Sequence, residues 1–97
     1  SLSQVVREDR KETRKKAAAE RQKLAPLRRQ ANMLETEIEK ILNELKLVKE
    51  ELSNESIYGS NQKSHLVDTL EREGRLKSLL KDKEEEWYVI QKKLEFY

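Results

Sequence analysis

Four arginines stand seven residues apart, at Arg7, Arg14, Arg21 and Arg28, with Arg10, Lys11, Lys15, Lys16, Lys23 and Arg29 among them. On a helix this spacing makes a positive stripe about 30 Å long that turns slowly around the axis. Guanidinium and ammonium groups so arrayed can grip the phosphate oxygens of a nucleic acid, contacts that carry affinity without reading sequence. Arg7, Arg10, Lys11, Arg14, Lys15, Lys16, Arg21, Arg28 and Arg29 are therefore the candidate nucleic-acid contacts. Glu8, Asp9 and Glu12 interrupt the run and leave a second reading open, a solvated helical linker.

Other chemistry finds little footing. The chain has no cysteine and one histidine, His65, so no thiolate or multi-histidine metal site can form. There is no phosphate-binding glycine loop and no nucleophile with a nearby base. The acidic run 84–86 places consecutive carboxylates around a helix, where they splay apart instead of facing one another. No catalytic residue, metal or cofactor is expected in these 97 residues. Ile57 and Tyr58 form a possible contact point at the tip of the molecule, unless they fold back over the last turn of its core. Trp87 reads as a core residue rather than a base-stacking platform. Tyr88 and Tyr97 are placed for exposure, and His65 for an exposed position in the first turn of a helix.

The elements that hold these residues follow from periodicity. Leu24, Leu27, Ala31, Leu34, Ile38, Ile41, Leu45, Val48 and Leu52 alternate in steps of three and four. That average of about 3.5 residues keeps one narrow seam aimed at a partner helix. Leu66, Leu70, Leu76, Leu80, Trp87, Ile90 and Leu94 fall on or near one face of a second stretch. Between them lies 53–61, a cluster of Ser, Asn and Gly that reads as a turn. The fold class is all-α: an antiparallel two-helix coiled-coil hairpin with arms 26–52 and 62–96 and a tip loop at 53–61. Ser60, Asn61 or Ser64 would cap the second arm. If opposed residue numbers sum to about 118, Leu52 faces Leu66, Val48 faces Leu70, Ile38 faces Leu80 and Ala31 faces Trp87. Leu45 then meets the region of Gly74, whose missing side chain would let the backbones approach.

Residues 1–25 form a separate basic helical leader. Extending the seam backwards places Arg10, Thr13 and Glu20 where apolar residues belong, so the coiled coil stops short of it. Pro26 removes a backbone donor and disfavours helical geometry at Ala25, which predicts a break or kink there. Composition agrees: 41% of the residues are charged and 5% aromatic, with two glycines and one proline, as suits long helices and not a mixed globular core. Residues 1–30 carry ten Lys and Arg against four Asp and Glu, a net +6, while 31–97 carry eleven against fifteen, a net −4. An anionic partner is expected at the basic end. No signal peptide or apolar span is visible, so a cytoplasmic location without membrane contact is the default expectation. The chain opens on Ser rather than Met, as a fragment of a longer protein would.

The order of features resembles a known family. A basic leader (DRKETRKK, 9–16) is followed by PLRR at 26–29, Leu/Ile heptads ending ELSNESIY at 51–58, and a second leucine arm with a late EWY at 86–88. This resembles the C-terminal coiled-coil domain of the ABC-F ATPases, the class often labelled "ABC transporter ATP-binding protein", and in particular its Uup- and YheS-like members. The resemblance covers roughly 8–96. It implies a parent with two ATP-binding cassettes upstream that use ATP and magnesium. It also implies partners in the ribosome and translation, with DNA binding for the Uup-type domain. None of the family's nucleotide-binding motifs has a counterpart here, so none is carried over. The expectation is a non-catalytic accessory arm contacting DNA, ribosomal RNA or the ribosome. The alternative is a coiled-coil module for protein interaction or weak self-association. The helical tRNA-binding arm of seryl-tRNA synthetases has a similar hairpin, but would carry its basic residues along the arms, where this chain is net negative.

Overall fold

The computed structural model describes residues 1–96; Tyr97 and the exposure expected of it lie outside the described residues. The chain forms two long helices, α1 (Leu2–Ser53) and α2 (Lys63–Glu95), joined by two short 3-10 turns at Glu55–Tyr58 and Ser60–Gln62. The helices pack antiparallel into a rod measuring 89 × 17 × 14 Å. The antiparallel hairpin anticipated from the heptads is the observed architecture.

Burial falls where the periodicity put it on α1. Leu24, Ala31, Leu34, Ile41, Leu45 and Val48 are buried, and Leu27, Ile38 and Leu52 are partly buried. Leu76, with Leu80 beside it, closes one cluster against Ile41, Leu45 and Val48. Ile90, Trp87 and Leu94 close a second against Ala31, Leu34 and Leu27. Val48 is the most enclosed side chain, with no exposed area.

On α2 the seam differs from the expected one. Its inward positions are 66, 69, 73, 76, 80, 83, 87, 90 and 94, an unbroken alternation of three and four steps. Leu70 is not among them; it is 48% exposed, whereas Thr69 is buried. The polar members are each satisfied. Thr69 donates its hydroxyl to the His65 carbonyl at 2.7 Å. Glu73 pairs with Lys77 at 3.6 Å, and Lys83 reaches across to Glu37 at 3.1 Å. Among the described residues no buried side-chain polar atom lacks a partner, so polar seam positions carry no large desolvation penalty.

These contacts also shift the register. Numbers of facing residues sum to 120 for Glu37 with Lys83 and 122 for Glu35 with Trp87, about three more than the sum anticipated from apolar matching. Ala31 accordingly packs against Ile90 and Leu34, with Trp87 at the edge of that cluster. Gly74 does not mediate a close approach. It is exposed, and a Cβ built on it meets nothing within 4 Å. Gly74→Ala should therefore stabilise the hairpin by roughly 1 kcal/mol through helix propensity alone. A thermal melt that shows no rise, or a fall, would contradict this placement.

The expected break at Pro26 does not occur. Pro26 lies inside α1, and the slender cross-section of the rod leaves room for only a gentle bend. Pro26 and Gln22 are both exposed, so water can serve the Gln22 carbonyl that lost its donor. Leu24 and Leu27 on either side are both held in the seam. At the observed register, α2 ends beside the start of that seam. Residues 2–22 thus continue as a helix with no tertiary partner among the described residues, about 32 Å long at 1.5 Å per residue. They are nucleated by the packed part of α1 rather than by contacts of their own.

At the other end the turn is closed by local bonds. Asn54 Oδ1 accepts from the Ser56 backbone N–H at 3.1 Å and its hydroxyl at 2.9 Å. Ile57 is buried, while Tyr58 stays 60% exposed and donates its hydroxyl to the Leu52 carbonyl at 2.7 Å. Ile57 has folded back over the last turn, and Tyr58 is tethered with its ring outward. No side chain caps α2: Gln62 occupies that position without a capping bond, so neither Ser60, Asn61 nor Ser64 plays the anticipated part.

Candidate nucleic-acid interface

Because α1 is unbroken, the leader and the first seam residues belong to one cylinder, and their side chains can be placed on a common helical wheel. At about 100° per residue, Arg7, Arg10, Lys11, Arg14, Arg21, Arg28 and Arg29 fall within an arc about 100° wide. Lys15 lies at its edge. Glu8, Asp9, Glu12 and Glu20 all fall in the remaining part of the circle, so the acids that interleave in sequence separate in space. Lys16 goes with the acids and does not join the stripe. The stripe spans about 33 Å from Arg7 to Arg29 at 1.5 Å per residue. Arg28 and Arg29 extend it over the open end of the hairpin, which a break at Pro26 would have prevented.

All nine candidate residues are exposed. Among the described residues, the ion pairs within 4 Å are Glu73–Lys77, Glu37–Lys83, Lys83–Glu86 and Lys92–Glu95. None of them involves a stripe residue. Two local bonds lie within the leader: Ser1 Oγ accepts from the Gln4 N–H at 3.4 Å, and Thr13 donates to the Asp9 carbonyl at 2.9 Å. The nine candidate cations are thus exposed to water and, among the described residues, outside these ion pairs, where they can exchange counterions for phosphates.

Trp87 and Tyr88 lie on α2 and do not contribute to this face. Trp87 is half-buried and donates its indole N–H to Glu35 Oε1 at 3.1 Å, which fixes it as a core residue with a polar tether. Tyr88 is exposed, with the Lys92 ammonium 5.2 Å from its ring centroid. His65 is exposed at the third residue of α2, beside the tip. Among the described residues no group of three or more His, Cys, Asp or Glu could hold a metal ion. No described helix is long and apolar enough to cross a membrane.

Lys83 is the cross-helix cation that the apolar reading of α2 overlooked. The hydrogen bond and charge of Glu37, with Glu86 and Asp82 near by, raise its pKa above the usual 10.5 despite a small opposing effect of desolvation. A raised pKa means that the pair's contribution is complete below the unfolded value and is lost as pH rises through the folded one. The stability advantage of the wild type relative to Lys83→Met should thus be flat through neutral pH and shrink above about pH 10.5. Denaturant melts across that range would refute the assignment if the difference stayed constant.

No protein-family model matches the chain, and no curated protein or solved structure is significantly similar to it. The candidate interface therefore rests on the geometry of the stripe alone. A strict 3.6-residue wheel drawn through Pro26 would have revealed the segregation of acids from bases. The local proline rule argued against drawing it.

Proposed function

We propose that this chain is a non-catalytic arm that binds nucleic acid through the basic stripe of α1, with the hairpin setting the reach and orientation of that stripe. The observation that carries the reading is the single positive face from Arg7 to Arg29, solvent-exposed and, among the described residues, with no ion pair to a carboxylate at any of the stripe positions. Phosphate contacts of this kind position a rod along a backbone and are indifferent to base sequence. The resemblance to ABC-F C-terminal domains suggests the setting: an accessory element of a cytoplasmic tandem-cassette ATPase, with ATP and magnesium held by the cassettes and DNA or ribosomal RNA as the polymer gripped. Titrating salt against binding to duplex DNA, single-stranded DNA and structured RNA tests it. Steep loss of affinity with salt is expected, and the preferred polymer is the one bound most tightly at the highest salt. Absence of binding to all three at low salt would remove the proposal.

A second reading, a protein-interaction or self-association module, is favoured by apolar side chains left on the outside of the paired helices, notably Leu42 and Leu79, which are 50% and 43% exposed. It predicts binding that maps to the arms and survives loss of the leader's charge.

A further inference from the structure

One flank of the hairpin carries an apolar strip that neither helix covers, and its charges are arranged about a centre. Leu42 lies where two open depressions meet in the groove between α1 and α2. Toward the open end, the groove is lined by Glu35, Glu39 and Glu84, with Ile38 and Trp87 at its floor. Toward the tip, it is lined by Lys46, Lys49 and Lys77, with Leu45 and Leu80 beneath and Glu50 the one carboxylate. Glu39 and Lys46 stand three and four residues from Leu42, and Glu35 and Lys49 each stand seven. On α2, Glu84 and Lys77 stand four and three residues from Leu80. Acid half and basic half are thus equivalent in extent about one layer.

A surface with this arrangement is complementary to itself under a two-fold rotation. We propose that the chain forms a symmetric dimer through this flank, with the two-fold axis crossing both helices at the Leu42–Leu80 layer and the two hairpins antiparallel. Leu42 then rests on the partner's Leu42. Glu39 meets the partner's Lys46, Glu35 the partner's Lys49, and Glu84 the partner's Lys77. A parallel arrangement would set acid on acid and base on base, so the charge pattern selects the antiparallel one. The result is a four-helix layer of bundle type. The paired section is about 21 Å long, at 1.5 Å per residue between Glu35 and Lys49, and two helices wide. That amounts to about 800 Å² buried in total, at the low end for specific association. The dimer is accordingly weak and salt-sensitive. It leaves both basic leaders uncovered, at opposite ends of the assembly, and does not depend on the nucleic-acid reading.

Two double variants test it, and neither touches residues 1–30. Glu39→Lys/Glu84→Lys makes the flank predominantly basic, leaving Glu35 and Glu50 as its carboxylates; Lys46→Glu/Lys77→Glu makes it predominantly acidic, leaving Lys49 as its cation. Sedimentation equilibrium of the full chain at millimolar concentration and low salt should show wild type moving from 11.5 kDa toward twice that mass, with the shift reversed by high salt. Each variant alone should associate at least ~10-fold more weakly, while an equimolar mixture of the two should associate at least as well as wild type. All altered positions are exposed, and helicity by circular dichroism confirms that each variant stays folded. A monomeric wild type at low salt overturns the proposal. So does self-association of both variants equal to wild type, or a mixture that remains monomeric.

Discussion

Replacing Arg7, Arg14 and Arg21 together by Glu is expected to weaken nucleic-acid binding by about 100-fold or more near physiological salt. Each phosphate contact contributes about 0.9 to the slope of log K against log salt, worth roughly fivefold in affinity at ~0.15 M, so three lost contacts multiply to about that figure before repulsion is added. The slope itself should fall by about 2.7. The wheel of α1 supplies an internal control. Lys16 shares its sector with Glu8, Asp9, Glu12 and Glu20, so Lys16→Glu should cost less than Arg14→Glu although the two are neighbours in sequence. Equal losses for these two single reversals would mean that the helix is not gripped along one face. Unchanged affinity after the triple reversal would exclude the stripe as the contact.

The second large effect concerns the seam. Ile41→Ala should destabilise the hairpin by about 2–4 kcal/mol, the usual cost of removing a buried branched side chain and leaving a cavity. Ile41 is only 5% exposed and packs between Leu45, Leu76 and Leu80, and two helices offer little else to compensate. For a domain this small such a loss is a large share of the total, so partial unfolding at room temperature is the expected reading by circular dichroism. Leu70→Ala is the matched control. A register drawn from apolar matching sets Leu70 against Val48, where truncation would be costly. In the structure its side chain is half exposed, and the change should stay within about 0.5 kcal/mol. Comparable losses at the two positions would contradict the observed register and favour the one drawn from apolar matching.

Two failures of sequence reasoning share a cause. Leu70 reads as a seam residue by its type, although strict alternation of three and four steps from Leu66 to Leu94 passes through Thr69, Glu73 and Lys83 instead. Spacing was the better guide than residue type, since spacing reflects which way a side chain points. Polar residues at such positions look like errors until their partners are seen, and Glu37, the partner of Lys83, lies on the other helix. Pro26 misled in the same way. Its local preference is to end a helix, but strong helix formers flank it, seam leucines grip both sides, and its ring faces solvent. A local cost of about 3 kcal/mol can be outweighed by packing distributed over many residues.

The fold class, the place of the turn, the inward residues of α1 and the basic character of one end are all legible in the order of the amino acids. Each is a property of a single helix or a short segment: a 3.5-residue period, a cluster of turn formers, a count of charges. The register, the polar members of the α2 seam, the folding back of Ile57 and the charge arrangement around Leu42 emerge only when the two helices are packed together. These depend on which residue of one helix stands opposite which residue of the other. Sequence leaves that open, because an antiparallel seam of evenly spaced apolar residues packs almost equally well when slid by one step. Side-chain pairs such as Glu37 with Lys83 and Glu35 with Trp87 break the tie.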